Sequence, residues 1–184
     1  MVPPDQAQLQ VRVNAVMDGK RLIMATPGLR DGFYLLERRG IRTKDWVRAA
    51  RSSGVRQFGK RLATSKHEIG QVDLLVTGAV AVGLQGGRVG KGSGYFDLEY
   101  TILREIGSVH EDTPIVALVD DVQVCDEVPL EEHDVAVNYI VTPTRIIKAG
   151  RFQRSSMRIR WERLEERRIR RIRPLREMRG RGEP

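Results

Sequence analysis

A run of glycines interrupted by basic residues is the most chemically informative segment of the chain. It reads Gly87-Arg-Val-Gly-Lys-Gly-Ser-Gly-Tyr-Phe-Asp and ends at Asp97. Alternate glycines let backbone N–H groups converge on an anion, because no Cβ atom blocks the approach. Arg88 and Lys91 add the full positive charges that a polyphosphate requires. The Asp97 carboxylate is a suitable ligand for a divalent cation beside those phosphates, so the segment predicts a phosphate-binding loop.

Two common phosphate-binding motifs do not account for this loop. A Walker loop needs glycine five residues before Gly90 and Ser or Thr after its lysine, whereas this chain has Gln85 and Gly92 there. A dinucleotide-binding pattern needs glycine at the position of Tyr95. A glycine-rich connection without any ligand stays open as the alternative. The two cations, the acid and the position of the loop before a helix favour a ligand.

The apolar pattern around the loop predicts the elements that must hold it. Residues 72–82 form a near-continuous aliphatic run, which is typical of a parallel strand covered on both faces. Residues 95–106 carry apolar side chains at helical spacing, and Gly107 predicts the end of that helix. Residues 114–119 and 139–147 supply two further apolar runs. We therefore expect a βαβ unit in an α/β fold, a three-layer sandwich with a mostly parallel central sheet.

The chain before this unit gives weaker signals. Residues 21–26 predict a buried strand that ends at Pro27, and residues 30–39 are compatible with an edge hairpin through residues 33–36. Residues 11–17 are compatible with a short helix. The mixed stretch of residues 43–59 predicts no regular element.

The net charge of +8 is confined to the last part of the chain. Residues 151–184 hold 13 Arg and 5 Glu, so residues 1–150 carry equal numbers of basic and acidic side chains, 19 of each. The composition therefore divides the chain into a neutral α/β domain, residues 1–150, and an Arg-rich tail, residues 151–184. Any argument from charge to nucleic acid applies only to the tail.

The tail has two interpretations. Its apolar side chains recur at an approximate helical spacing, and we expect Pro174 and Gly180 to end the helix. The favoured interpretation is a solvated or self-docking helix with Glu–Arg pairs, which is dispensable for chemistry. The alternative is an arm that binds RNA or another acidic partner, because arginine suits phosphate. The stripe comprises Met157, Trp161, Leu164, Arg168, Ile172 and Leu175.

Length and composition exclude several classes of protein. The chain has 184 residues, of which 40% are hydrophobic and 30% charged, so it is neither a miniprotein nor fully disordered. No apolar run approaches the ~20 residues that span a bilayer, so we expect no membrane contact. The single cysteine, Cys125, cannot form an intrachain disulfide, and the first residues do not resemble a signal peptide. A cytoplasmic protein is expected, and its oligomeric state stays open.

The glycine loop resembles the signature of the 5-formyltetrahydrofolate cyclo-ligase (methenyltetrahydrofolate synthetase) family, R-L-G-x-G-x-G-Y-Y-D, which aligns with residues 88–97. Residues 128–143 resemble the family's closing motif, P-x-x-x-H-D-x-x-x-D-x-[IV]-[VI]-T-P, at the matching distance. Residues 19–27 look like the earlier strand that ends beside the folate. The resemblance covers residues 18–148 and is closest to a divergent, cyclo-ligase-like branch.

This resemblance implies an activity and a set of site residues. The reaction is ATP-dependent closure of 5-formyltetrahydrofolate to 5,10-methenyltetrahydrofolate, a step of one-carbon metabolism that releases ADP and phosphate. Arg88 and Lys91 are implied as the catalytic cations, and Asp97 and Asp134 as the Mg²⁺ ligands. Tyr95 and Met24 are implied as contacts of the reduced folate. The implied phosphate-binding residues are Arg88, Gly90, Lys91, Gly92, Ser93, Gly94 and Tyr95.

Several of these residues have a second interpretation. Asp97 stabilises a helix dipole equally well, and Tyr95 at helical spacing suits a core aromatic. Asp134 is favoured over its neighbour His133, because a lone histidine in a Glu-rich loop is commonly solvated. The chain also departs from the family pattern. It lacks the N-terminal K-x-x-x-R segment and the early acidic substrate-binding residue of the family. It also has Asn138 in place of the second acid of the closing motif. A catalytically weak nucleotide- or folate-binding relative, linked to RNA through the tail, is therefore the alternative function.

Overall fold

The computed structural model describes residues 1–131, 133–150 and 158–182. The strands in these ranges are β1 (Leu22–Ala25), β2 (Phe33–Leu36), β3 (Lys60–Leu62), β4 (Leu75–Thr77), β5 (Ala81–Gly83), β6 (Arg88–Val89), β7 (Ile115–Leu118), β8 (Val124–Cys125), β9 (Tyr139–Val141) and β10 (Ile146–Lys148). The α-helices are α1 (Leu9–Met17), α2 (Trp46–Ala49), α3 (Val55–Phe58), α4 (Lys66–Ile69), α5 (Tyr95–Glu105), α6 (Glu166–Arg171) and α7 (Arg173–Gly182).

The central sheet has the strand order β10-β9-β7-β4. Strands β4, β7 and β9 of this sheet are parallel, and its edge pair β9–β10 is antiparallel. Leu75 of β4 packs into one hydrophobic cluster, and its neighbour Val76 packs into another on the opposite face. Both faces of the sheet are therefore covered, as a continuous aliphatic run predicts. The mostly parallel central sheet of an α/β fold is confirmed.

An antiparallel sheet of β1, β2 and β3 continues this layer. Met1 and Val2 lie between β1 and β4: the Val2 amide donates to the Ile23 carbonyl (3.0 Å), and the Val76 amide donates to the Met1 carbonyl (2.9 Å). These two residues join the antiparallel sheet to the central sheet. The C-terminal ends of β1, β4 and β7 consequently meet at one edge.

Helices cover the joined sheets on both sides and make the predicted three layers. Helix α1 and the residues around α2 and α3 pack on one side, over the cluster that contains Met24 and Val76. Helix α5 packs on the other side, where it buries Tyr100, Ile102 and Leu103. No helix in the described part of the chain is long and apolar enough to cross a membrane.

Helix α5 confirms the helix expected over residues 95–106, but the aliphatic run of residues 72–82 is not one strand. The chain leaves the central sheet after Thr77, and β5 pairs with β6 and β8 in a separate three-stranded sheet. At the break, a Cβ atom on Gly78 would lie 2.5 Å from the side-chain nitrogen of Gln8. Hydrophobicity reports burial but not the sheet to which a strand belongs, so the sequence could not separate the two strands. Residues 43–59 hold α2 and α3, whose four-residue lengths leave no periodic signal.

The tail packs against the body over its described residues, which is the self-docking arrangement. Ile169, Ile172 and Leu175 are buried in the same cluster as α5. The expectation that Pro174 and Gly180 end a helix is wrong, since both lie inside α7. Pro174 sits in the first turn of α7, where a missing N–H is harmless. Met157, which was expected in the same stripe, lies outside the described residues.

The burial of Leu175 predicts that the tail contributes to the stability of the whole domain. Leu175→Ala removes a side chain with no exposed surface and leaves a cavity, so it should lower the free energy of unfolding by about 2–5 kcal/mol. Urea denaturation followed by circular dichroism measures this difference. The matched control is Arg171→Ala, at an exposed position of α6, and a Leu175→Ala variant as stable as this control would contradict the docking.

A carboxylate in α7 predicts that docking depends on pH. Burial opposes ionisation of Glu177, but hydrogen bonds from the Thr64 hydroxyl (2.7 Å) and amide (2.9 Å) and from Arg173 hold its pKa below the ordinary value. A lowered folded-state pKa adds stability above the unfolded pKa, and that stability is lost as the pH falls through the folded pKa. Glu177→Gln should therefore lower the melting temperature at pH 7, and the difference from wild type should shrink below about pH 4. Glu162→Gln, at an exposed tail position, should match wild type throughout, and a constant effect of Glu177→Gln at every pH would refute the ionic contribution.

Candidate functional site

The glycine loop connects β6 to the N-terminus of α5 and forms a wall between two cavities. Gly92 and Gly94 have φ angles of 78° and 60°, in the left-handed region that favours glycine. These two turns bring the chain from Val89 to the start of α5 at Tyr95. Each cavity beside the loop has a volume of about 610 Å³, large enough for a cofactor-sized molecule.

We call the first cavity the arginine cavity. It is lined by the glycine loop, by residues of the tail between 158 and 168, and by Pro129, Glu131, His133 and Asp134 of the closing motif. Its cationic lining residues in the described chain, apart from His133, are Arg88, Arg158, Arg160, Arg163 and Arg168, and its acidic ones are Asp97, Glu131 and Asp134.

We call the second cavity the strand-end cavity, because the C-terminal ends of β1, β4 and β7 open into it. Thr26, Thr77 and Leu118 represent these three strands in its lining. Residues 3–8 and the glycine loop close the other sides. Ligands of open α/β sheets bind at this edge, so the position is a favourable one for a substrate. The charged groups in its described lining are Asp5, Arg88, Lys91, Asp97 and Glu99.

Five residues of the loop region line both cavities. They are Arg88, Gly90, Ser93, Gly94 and Asp97. Two ligands that fill the cavities would therefore lie on opposite sides of the same loop. A transfer between them requires the reacting atoms to come within about 3–3.5 Å, so the two ligands would have to meet past the edge of the loop.

Arg88 and Asp97 form an ion pair inside the shared wall. The Arg88 side chain is 4% exposed, and it donates to Oδ1 of Asp97 while its guanidinium lies 4.5 Å from the centre of the Phe96 ring. The Val135 amide also donates to Oδ1 of Asp97 (3.0 Å). The predicted phosphate-binding cation and the predicted metal ligand thus contact each other. The Nε atom of Arg88 is buried and has no hydrogen-bond partner among the described residues.

Lys91 points away from the arginine cavity. Its side chain is 72% exposed, and its ammonium group donates to Oδ1 of Asp5 at 2.8 Å. Lys91 lines the strand-end cavity and flanks it together with Asp5. The structure therefore separates the two predicted catalytic cations, since Arg88 is buried in the wall and Lys91 is exposed at its surface.

The two predicted metal ligands both line the arginine cavity. Asp134 is 25% exposed and accepts a hydrogen bond from the Glu131 amide (2.9 Å). The hydrogen bonds of Asp97 with Arg88 and Val135 both use its Oδ1 atom and not Oδ2. No group of three acidic, histidine or cysteine side chains in the described chain converges as a metal cage. Mg²⁺ needs only one or two carboxylates when phosphate oxygens and water supply the rest, so this pair fits Mg²⁺ bound with a nucleotide. His133 is 60% exposed.

The predicted folate contacts differ in position. Tyr95 lines the strand-end cavity, and its hydroxyl lies 3.2 Å from where a Cβ atom on Gly28 would stand. Met24 is fully buried in the core beneath α1, and Thr26, Pro27 and Gly28 face the cavity in its place. The alternation of a strand explains this, because Met24 faces the opposite side from Ile23 and Ala25.

Sequence reasoning missed Glu99, which lies in the strand-end cavity. It is 4% exposed, and its Oε2 atom has no hydrogen-bond partner in the described chain. Burial is the main cause that raises the pKa of Glu99 to about 8; Asp5 and Asp97 add to it, while Arg88 and the Met1 amino group oppose it. The side chain is therefore largely protonated at neutral pH. The signal was present, since Glu99 lies four residues after Tyr95 and three before Ile102, on the apolar stripe of α5.

Two residues in segments where the chain departs from the family pattern have structural roles. Arg12, the only cation before residue 18, is 1% exposed and donates to the carbonyls of Pro3, Asp5 and Ala50. It holds the segment that closes the strand-end cavity rather than facing a ligand. Asn138 accepts the Ile115 amide through its side chain (2.8 Å) and so stabilises β7.

Comparisons with known proteins identify what the chain is similar to. The model of the 5-formyltetrahydrofolate cyclo-ligase family matches residues 1–143. A methenyltetrahydrofolate synthase domain-containing protein of Homo sapiens is 40% identical over 185 residues, covering 98% of this chain and 48% of that protein. A 5-formyltetrahydrofolate cyclo-ligase of Mycolicibacterium smegmatis is 36% identical over 83 residues, covering 45% of this chain and 40% of that protein. The family resemblance predicted from the loop and the closing motif is confirmed.

Two further facts qualify these similarities. The chain spans about half the length of the curated relatives it matches over most of its residues. The NMR structure of Aquifex aeolicus 5,10-methenyltetrahydrofolate synthetase aligns with a TM-score of 0.47 and 20% identity, covering 84% of this chain and 75% of that chain.

Arg88 is buried and Lys91 is exposed, so substitutions of these two residues should change the stability of the protein by different amounts. Arg88→Ala leaves Asp97 as a poorly solvated, unpaired charge, which should lower the free energy of unfolding by about 3–5 kcal/mol. Lys91→Ala breaks an exposed pair and should cost at most about 1 kcal/mol. Urea denaturation of both variants measures the two values. Equal stabilities would show that the pair in the wall is not structural.

Proposed function

The chain belongs to the 5-formyltetrahydrofolate cyclo-ligase family, and we propose that it closes 5-formyltetrahydrofolate to 5,10-methenyltetrahydrofolate in a reaction that consumes ATP and requires Mg²⁺. The observation that carries this proposal is the wall shared by two cavities of about 610 Å³. A ligase must hold a nucleotide and a second substrate in contact, and two cavities that meet at a glycine loop suit this task. One-carbon metabolism in a reducing cytoplasm is the proposed setting, which fits the single cysteine.

We assign the triphosphate of ATP to the arginine cavity. The supporting evidence is its excess of guanidinium groups and the alternate glycines along one side. Asp97 and Asp134 would hold Mg²⁺ there, and the ion supplies neutralisation of phosphate charge when bound. Gly90, Gly92, Ser93 and Gly94 would follow the phosphates along the loop. Arg88 keeps Asp97 oriented through their ion pair and adds its own charge at the wall.

We assign the reduced folate to the strand-end cavity. Its lining combines the threonines at two strand ends with the apolar side chains of Pro27, Ala79 and Phe96, which suits a flat heterocycle with many hydrogen-bonding atoms. Tyr95 would contact this ring next to the loop. A largely protonated Glu99 can donate a hydrogen bond to the ring without burying a second negative charge. Met24 supports the cavity from beneath rather than touching its contents.

The chemistry that this arrangement serves is phosphoryl activation followed by ring closure. The formyl oxygen attacks the γ-phosphate, ADP leaves, and N10 then attacks the activated formyl carbon, loses its proton and expels phosphate. Such a transfer needs alignment and charge neutralisation more than a protein nucleophile. Lys91, on the strand-end side of the loop, would meet the γ-phosphate as it enters that cavity.

Catalysis gives an optical signal that tests the proposal. We expect the protein, incubated with Mg-ATP and 5-formyltetrahydrofolate, to produce the near-ultraviolet absorbance of the methenyl product. Product formation should stop when ATP or Mg²⁺ is omitted, and it should fall at least tenfold in Asp97→Asn, because the substitution removes a charge from the assigned metal site. Thermal denaturation establishes that this variant is folded.

A second measurement separates the ligase from the alternative function. Calorimetry with ATP and with 5-formyltetrahydrofolate measures binding independently of turnover. Binding of both ligands without any absorbance gain would retire the ligase and leave a nucleotide- and folate-binding relative. Binding of neither ligand would refute the assignment of both cavities.

A further inference from the structure

One side of the arginine cavity is built by a part of the chain that lies beyond the family match. The family model matches residues 1–143, whereas Arg158, Arg160, Arg163 and Arg168 line the cavity. The tail was expected to be dispensable for chemistry, but its arginines are adjacent to the predicted phosphate-binding loop.

The tail holds this side of the cavity in a defined place. Ile159 is 8% exposed, and its amide donates to Oε2 of Glu105 at the end of α5 (3.0 Å). On the other side of the arginines, Ile169 and Ile172 are buried in the large core cluster. Segment 159–172 is therefore anchored at both ends, which limits how far Arg163 can move, and Arg158 directly precedes the first anchor.

Arg168 connects the tail directly to the loop. Its guanidinium donates to the Ser93 carbonyl (2.8 Å) and lies 5.5 Å from the centre of the Tyr95 ring. Ser93 belongs to the wall shared by both cavities. The arginines before Arg168 are consequently fixed relative to the loop and not only to the protein core.

Arg158 and Arg163 are positively charged side chains that no acidic residue of the cavity lining neutralises. Both are exposed residues that line it, and neither forms an ion pair with a residue in the described ranges. Neither arginine pairs with a carboxylate of the lining: Asp97 pairs with Arg88, Asp134 accepts the Glu131 amide, and the exposed Glu131 carboxylate lies beside His133. Two guanidinium groups thus face a cavity with a local excess of positive charge, which favours a highly charged anion.

We propose that Arg158 and Arg163 bind the polyphosphate of the nucleotide in the arginine cavity, so that the tail supplies cations at the site. The identity of the nucleotide as ATP rests on the proposed function, whereas the preference for a polyphosphate rests on the cavity itself. The cavity volume of about 610 Å³ is large enough for the triphosphate of a nucleotide. The guanidinium fork matches phosphate oxygens in bidentate geometry.

The test uses the full chain with Arg158→Gln, Arg163→Gln and the double variant. Calorimetry measures the affinities for Mg-ATP, for inorganic tripolyphosphate and for 5-formyltetrahydrofolate. A charge-assisted hydrogen bond at each position leads us to expect about a tenfold loss of affinity per arginine for both phosphate probes. Folate affinity should change less than twofold. Thermal denaturation should show unchanged folding, because both positions are exposed.

The matched control is Arg167→Gln, an exposed arginine of α6 that lines neither cavity in the described chain. It has the same change of charge and should bind both phosphate probes within twofold of wild type. An equal loss of affinity for the phosphate probes in Arg167→Gln would show that the effect comes from the overall charge of the tail, and it would overturn the inference. The inference would also be overturned if single-stranded RNA competed with Mg-ATP more strongly than tripolyphosphate does at the same concentration of phosphate groups.

The outcomes distinguish this inference from the proposed function. If the double variant binds ATP and tripolyphosphate like wild type while the wild type forms methenyl product, the inference is wrong and the ligase stands. If the wild type forms no product but binds tripolyphosphate through Arg158 and Arg163, the ligase is wrong and the inference stands.

Discussion

The buried ion pair between Arg88 and Asp97 is the interaction on which the rest of the site depends. It closes the glycine loop onto the first turn of α5, and the Val135 amide attaches the closing motif to the same carboxylate. A buried pair of this kind adds little net stability, because desolvation of both charges offsets their attraction. Its contribution is to fix the positions of both side chains, because removal of either partner would leave the other as a buried, unpaired charge. Two cavities share a wall because this pair holds the wall in place.

The tail shows how a charged segment becomes part of a core. Its isoleucines and Leu175 bury their side chains against α5, while the arginines between them stay at the surface. Amphipathic helices allow this division, because residues one turn apart share a face. The same segment therefore adds apolar area to the core and guanidinium groups to a cavity. Net charge alone pointed to nucleic acid, whereas the placement of the charges favours a small polyanion.

The proposed chemistry also has a consequence for electrostatics in the strand-end cavity. Asp5, Asp97 and Glu99 lie near one another at the loop, and burial of Glu99 raises its pKa to about 8. Keeping that carboxyl protonated avoids a repulsive cluster beside the place where phosphate would enter. Arg88 and Lys91 flank the same region as an internal and an external cation. The loop thus separates a strongly cationic compartment from a nearly neutral one.

The aliphatic runs and the helical stripe of α5 were sufficient to predict the α/β class and the βαβ unit, because these depend on local conformation and on which faces are apolar. The family was indicated by the resemblance of residues 88–97 and 128–143 to two known motifs. The tertiary structure alone decided where strand 72–82 breaks, that Met24 faces the core, and that Arg88 pairs with Asp97 rather than standing free. It also brought Arg158 and Arg163 to a loop more than 60 residues earlier in the chain. Periodicity identifies the buried face of each element, but the partner of a charge depends on how distant elements pack, and no local pattern encodes that packing.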